Sequence, residues 1–301
     1  MKKALKWAAF ALVALFLIAA VTALSLAGIA KKRMAEKYDV TPPAALTTSS
    51  DSASIAEGKK WAAALCSGCH GADMAGTRFF DVPDLGLICA PNLTPGGPTN
   101  TYTDLDWDRA IRHGANKDGK GLLIMPAKDF QYLSDEHTAQ IIAYLKTLPA
   151  AEENWPAAKT TFLCDILFQI GAFGDALNVE TIDHARLAPP APQRAVSPEY
   201  GAYLVTLSGC RTCHGAQLNG GKDPNPEAPM GPNLTPGGSL PAWTADGFLK
   251  TMRTGITPYG KELNSKFMPW KNVGYLADDQ VHAIYAYLLA QPKLETAVIK
   301  K

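Results

Sequence analysis

The segment CSGCH, Cys66 to His70, recurs as CRTCH, Cys210 to His214, and no other feature constrains this chain as tightly. A Cys-x-x-Cys pair serves as a redox dithiol, as half of a zinc site, or as the covalent seat of a haem. A thioredoxin-type dithiol needs no histidine at the fifth place and sits in a βαβ setting, of which the sequence shows no sign. A structural zinc needs four ligands, and the remaining histidines have no suitable spacing to these cysteines. The pattern is that of c-type haem attachment. Two thiols form thioethers to the porphyrin, and the adjacent imidazole reaches the iron from one face. The expectation is two covalently bound haem c groups, one on Cys66, Cys69 and His70 and one on Cys210, Cys213 and His214.

Aligning the two motifs exposes an internal duplication. EGKKWAAALCSGCHG precedes and includes the first, and EYGAYLVTLSGCRTCHG the second; both read as short helices running into the motif. PNLTPGG follows at 91–97 and repeats letter for letter at 232–238. WDRAIRHG and GFLKTMRTG are helical patterns that stop at glycine, and the closing segments IIAYLKTLP and IYAYLLAQP stop at proline. Between Met125 and Pro149 and between Met268 and Pro292 the spacing is the same 24 residues.

Each haem needs a second axial ligand from far enough along the chain to reach the opposite face. Met125 lies 55 residues after His70, and Met268 lies 54 after His214. Both precede proline, which holds the backbone out of helix, and thioether sulfur favours reduced iron and a raised potential. His70, Met125, His214 and Met268 are therefore the expected iron ligands. Met74 is too close to His70, Met230 has no counterpart in the first copy, and His113 is matched by Thr254 in the second. The acidic run Asp104 to Asp108 imitates a calcium loop, but Arg109 and Ala115 occupy the required Gly and Glu places. Acidic residues opening a helix explain it better.

The N-terminus carries WAAFALVALFLIAAVTALSLAGIA, residues 7–30, without a charge, between Lys2, Lys3, Lys6 and Lys31, Lys32, Arg33. At about 1.5 Å rise per residue it spans the roughly 30 Å hydrocarbon core, and it exceeds an ordinary signal h-region. Anchor or signal, it directs residues 34–301 out of the cytoplasm. The net charge of +1 gives no nucleic-acid surface. The expected fold is mainly α: an anchor at 1–33, a linker at 34–49, helical domains at 50–150 and 196–292, a Pro/Ala-rich linker at 151–195, and a tail at 293–301. The linker's apolar stretch FLCDILFQIGAFGDAL is too broken to span a bilayer and reads as a helix packed across the two domains or a docking surface. Cys89 and Cys164, the cysteines outside the motifs, are expected to form a disulfide in an oxidising compartment.

With GC..CHG, PNLTPGG, AIRHG and MP…YL in place, the chain resembles the bacterial cytochrome c family of membrane-anchored multihaem subunits. The best likeness is to the cytochrome subunits that accept electrons from periplasmic alcohol, aldehyde and sugar-acid dehydrogenases. That family commonly carries three haem motifs; this chain has two. The resemblance implies an electron-transfer protein at the cytoplasmic membrane, with both haem domains on the periplasmic side. Its donor would be a periplasmic dehydrogenase or another respiratory donor, and its acceptor a cytochrome, copper protein or oxidase. It also implies that an arginine ahead of each methionine loop, Arg112 and Arg253 by position, contacts a haem propionate. The alternative is a dihaem enzyme, a peroxidase or a thiosulfate-oxidising cytochrome, which needs one iron with an exchangeable position. A dihaem subunit of a haem-copper oxidase fits the long linker less well.

Overall fold

A computed structural model describes residues 2–298 apart from Pro224 and Pro226. Helix α1 (Lys2–Ala35) is long and apolar enough to cross a membrane. Its side chains are exposed over most of its length, and the buried ones, Ala27 and Ala30, lie near its end. The first copy contains α2 (Ser52–Leu65), α3 (Ser67–His70), strands β1 (Thr77–Val82) and β2 (Gly86–Ala90), then α4 (Asp104–His113), α5 (Ala127–Phe130) and α6 (Asp135–Thr147). The linker supplies β3 (Lys159–Thr160), α7 (Phe162–Gln169) and a 3-10 turn at Asn178–Glu180. The second copy repeats the plan with α8 (Pro198–Leu207), α9 (Cys210–His214), β4 (Asn219–Gly221), β5 (Gly231–Asn233), α10 (Ala245–Thr254), α11 (Trp270–Val273) and α12 (Asp278–Leu289). The expected mainly helical, duplicated architecture holds.

Local chemistry explains the helix limits. Asp51 accepts from Ser54 N at 2.9 Å to open α2, and Ser197 with Pro198 in the first turn opens α8. Thr103 and Asp106 form a capping box on α4, so the acidic run 104–108 is a helix start, as its composition suggested. Gly114 and Gly255 end α4 and α10 in the left-handed conformation, at φ 68° and 72°. Asp135 and Asp278, ten residues past each methionine, are the first residues of the closing helices.

In each copy the helix entering the motif crosses the closing helix, α2 on α6 and α8 on α12. The crossing demands glycine: a Cβ on Gly58 would lie 1.8 Å from the Gln140 carbonyl oxygen, and one on Gly201 would lie 2.0 Å from that of Ala283. The two copies share one apolar core, with Trp61, Ile141, Ile142 and Leu145 continuous with Tyr200, Leu204, Val281 and Ile284. Polar groups join them as well. Tyr203 Oη accepts from Ser134 N at 3.2 Å and lies 2.7 Å from His137 Nδ1, and Arg194 of the linker binds Asp279 of copy 2 at 2.7 Å and lies 3.9 Å from Glu57 of copy 1.

Three features depart from expectation. Copy 1 and the linker together form an antiparallel three-stranded sheet in the order β1-β2-β3, and copy 2 a two-stranded one. Helix α7 does not lie across the two copies; it packs on α1. Cys89 and Cys164 are unbonded. The strand register explains the last point. Gly86 pairs with Thr160 and Leu87 with Lys159, antiparallel, so onward from that pairing Cys89 and Cys164 run in opposite directions.

Candidate haem sites

Each motif is held at the junction of two helices. Cys66 ends α2, donating its N–H to the Ala62 carbonyl at 2.8 Å, while His70 N donates to the Cys66 carbonyl at 2.9 Å. That single helical turn brings both sulfurs and the imidazole to one region of the core surface. In copy 2 the turn is α9 itself, entered through Gly209 at φ 62°.

Burial governs the protonation of the motif cysteines. Burial pushes the thiols of Cys66 and Cys210 up to about 12 and that of Cys69 to about 11. Cys213 is pushed to about 12 by burial and by Asp223, which its thiol meets at 2.7 Å. Among the described residues no three His, Cys, Asp or Glu side chains converge as a metal-ion site.

The two histidines are buried, each 6 % exposed. His70 Nδ1–H donates to the Pro91 carbonyl at 2.8 Å, and His214 Nδ1–H to that of Pro232 at 2.9 Å. Burial pushes both imidazoles below the ordinary histidine range, and the carbonyl only partly opposes this. Each is thus a neutral imidazole whose tautomer leaves Nε2 unprotonated, the form that ligates iron. The carbonyls belong to the repeated PNLTPGG loop. In the same loop Asn92 Oδ1 accepts from Thr94 N and Oγ1 at 2.9 and 2.7 Å while Nδ2 donates to the Ala151 carbonyl at 2.8 Å. Asn233 does the same with Thr235 and the Leu294 carbonyl. The loop therefore aims the histidine and pins the chain leaving the closing helix.

Met125 and Met268 are half-buried and border the shared core, as do Cys66 and Cys210. Each methionine is followed by a short helix, α5 or α11, whose N-cap is the proline. Ile124, just before Met125, is held at φ 63°, a left-handed conformation costly for a β-branched residue. Its N–H donates to the Ala176 carbonyl in the linker at 2.7 Å. Met268 instead closes its own turn, donating N–H to the Asn264 carbonyl at 2.9 Å. The other sulfur candidates lie elsewhere: Met74 is buried in the core at 1 % exposure, and Met230 is 48 % exposed. His113 is engaged with His184, whose Nε2–H donates to the Val179 carbonyl, leaving its Nδ1 to accept from His113 Nδ1–H at 3.1 Å.

Arg112 and Arg253 bind protein groups. Arg112 donates to Asp135 at 2.6 Å, to the Leu133 carbonyl at 3.3 Å, and to Asp108. Arg253 donates to Asp278 at 2.6 Å, to the Leu276 carbonyl at 2.7 Å, and to the Gly274 carbonyl. Both guanidiniums tie the helix before the methionine loop to the residues closing that loop, a strut that the propionate expectation did not contain. Pro91, Pro232, Asn92 and Asn233 were not singled out from sequence, although the exact repeat of PNLTPGG marked their loop. Trp243 Nε1 and Thr99 Oγ1 are buried without a partner, donors of the kind a bound carboxylate satisfies.

The copies meet at these sites in a reciprocal way. Asn272 on α11, four residues past Met268, donates to Ser67 Oγ in the first motif at 3.2 Å. Asp129 on α5, four residues past Met125, borders the second motif: a Cβ on Gly209 would lie 3.2 Å from its carboxylate. Each methionine-side helix packs on the other copy's attachment turn.

Comparison with known proteins agrees with this geometry. A cytochrome c family model matches residues 55–149 and again 198–292. The chain is 27 % identical over 286 residues to the cytochrome c subunit of alcohol dehydrogenase (quinone) from Gluconacetobacter polyoxogenes, covering 82 % of this chain and 58 % of the relative. The same values hold for that subunit from Komagataeibacter europaeus. The fructose dehydrogenase cytochrome subunit of Gluconobacter japonicus is 27 % identical over 258 residues, 76 % of this chain and 51 % of the relative. The chain thus spans little more than half the length of the curated relatives it matches. With the family model matched twice, over most of its length, the chain belongs to the cytochrome c family.

Proposed function

We propose that the chain is a dihaem electron relay on the extracytoplasmic side of the membrane, taking single electrons from a dehydrogenase and passing them to a cytochrome, copper protein or oxidase. Cys66 and Cys69 would hold one haem c with His70 and Met125 as axial ligands; Cys210 and Cys213 would hold the other with His214 and Met268. Bound there, the haem supplies one-electron iron chemistry, and the protein sets potential, burial and docking. The carbonyls of Pro91 and Pro232 orient the imidazoles, the PNLTPGG asparagines secure the chain around them, and the arginine struts hold the methionine loops. The donor class is suggested by the relatives' own names, cytochrome subunits of alcohol and fructose dehydrogenases. Anchoring is suggested by α1.

The observation that carries the relay reading is the reciprocal packing of each methionine-side helix on the other copy's attachment turn. It joins the two sites through one continuous packed core, the arrangement electron transfer between them needs. Membranes of the source organism lacking this chain should fail to pass electrons from an alcohol or sugar to oxygen, and restoring the chain should restore the flow. Unchanged respiration, or turnover of peroxide or thiosulfate by the purified chain, would favour the enzyme reading.

A further inference from the structure

Helix α7 has its polarity reversed for a helix facing water. Its one charged side chain, Asp165, is fully buried, accepting from Thr160 Oγ1 at 2.6 Å with Lys31 Nζ at 3.8 Å. Cys164 and Phe168 are buried with it, and Phe168 lies under the Arg33 guanidinium at 4.9 Å. The outward residues are apolar: Phe162, Leu163 and Ile170 are 49, 47 and 61 % exposed, with Ile166 and Leu167 half-exposed between them. Positions 163, 166, 167 and 170 share one helical face. Gln169, the polar residue of the helix that is not buried, accepts from Arg33 at 2.9 Å.

The place of this stripe says what covers it. Helix α7 packs on the last turns of α1, where Ala27 and Ala30 are buried and Arg33 binds Gln169 and Glu180. The charge-free run of 24 residues is about 36 Å long, more than the roughly 30 Å hydrocarbon core. Its last turns therefore reach headgroup level, and Ala27 to Arg33 covers about 9 Å there. Interfacial helices sink about 5–10 Å into the same zone. Exposed Lys31, Lys32 and Lys37 follow the span, and exposed Lys159 precedes α7, cations suited to anionic headgroups.

Building on the reading of α1 as a membrane anchor, we propose that the stripe Phe162, Leu163, Ile166, Leu167 and Ile170 is a second membrane contact, embedded at the boundary of headgroups and acyl chains. A single spanning helix leaves a domain free to swivel; a second contact beside it fixes which face of copy 1 meets the bilayer. Copy 1 is tied to the anchor's exit independently, since Tyr38 N donates to the Gly119 carbonyl at 2.8 Å.

The test uses the full-length haem-loaded protein in nanodiscs of phosphatidylcholine and phosphatidylglycerol containing a diazirine-bearing phospholipid. After irradiation, labelled peptides are mapped by mass spectrometry. Label is expected on α1 and on residues 162–172, and none around Tyr259 or Tyr275 of copy 2, which are exposed at 68 and 50 %. In the double variant Leu163→Gln/Ile170→Gln, whose sites are exposed, the haem spectrum should be unchanged and the label on 162–172 lost, with α1 still labelled. Label on α1 with none on 162–172 would overturn the proposal and leave the stripe to a protein partner. Absence of label from α1 as well would remove the anchor and the second contact together.

Discussion

The two cytochrome c copies share a plan and differ in how each methionine loop is braced. In copy 2 the loop is self-contained: Met268 closes a turn on Asn264, and Arg253 ties the far end to Asp278. In copy 1 the loop leans on residues outside the repeat. Ile124 N–H reaches Ala176, Lys128 N–H donates to Asn178 Oδ1 at 3.0 Å, and Lys128 Nζ meets Asp175 at 2.8 Å. The strut differs too. Arg112 carries a second, fully buried partner, Asp108, at the position where copy 2 has Leu249. Behind it His113 meets His184 of the linker where copy 2 has Thr254. The motif is thus the same in both copies, while copy 1 carries buried charge and depends on the linker.

The largest expected effect follows from that buried charge. Arg112→Leu leaves Asp108 uncompensated in the core and should cost copy 1 about 3–5 kcal/mol. Arg253→Leu, whose acidic partner Asp278 is exposed, should cost copy 2 only about 1 kcal/mol. Guanidinium unfolding followed at each site checks both, and equal losses would break the comparison.

Acid should separate the copies next. Burial first, then His184 and the Arg112 and Arg109 charges, hold His113 down to about 4. A histidine with a lowered folded-state pKa contributes stability that is fully present above its unfolded value near 6.5. That contribution is lost as pH falls toward 4, on the order of 3 kcal/mol. Copy 1 should therefore loosen more than copy 2 between pH 6.5 and 4, and His113→Thr should bring the two responses closer in a pH series of unfolding curves.

The helix crossings should respond alike. Gly58→Ala and Gly201→Ala each force a Cβ into a backbone carbonyl, overpacking that costs about 1–3 kcal/mol in either copy. A large asymmetry would show that the crossings are not equivalent.

Much of this was legible from residue order because the signals are local. The attachment motifs, the glycine stops after α4 and α10, and the aspartates opening α6 and α12 act within one helical turn. What escaped acts across long separations. Asn92 reaches Ala151, and Asn233 reaches Leu294, and no short pattern announces a carbonyl so far away. The hairpin Thr77–Ala90 holds strand-forming residues without a clean alternation, so the helical context hid it. The failed disulfide shows the same limit: two spare cysteines imply a bond until strand register sends them apart. Helix α7 was recognised as apolar, but its contact with α1 depends on where the anchor ends relative to the folded linker.

The smallest expected effect concerns the linker brace. Asn178→Ala removes the hydrogen bond to Lys128 N and should cost about 1 kcal/mol. It should make the first iron slightly more open to carbon monoxide and leave the second unchanged, as titration of the reduced protein would show.

The central claim is that both irons carry a methionine opposite a histidine. The near-infrared sulfur-to-iron charge-transfer band of the oxidised protein tests it most directly. The account predicts a band with the intensity of two haems, reduced by about half in Met125→Ala and by the same share in Met268→Ala. A high-spin iron in the unaltered protein that binds carbon monoxide readily would contradict it.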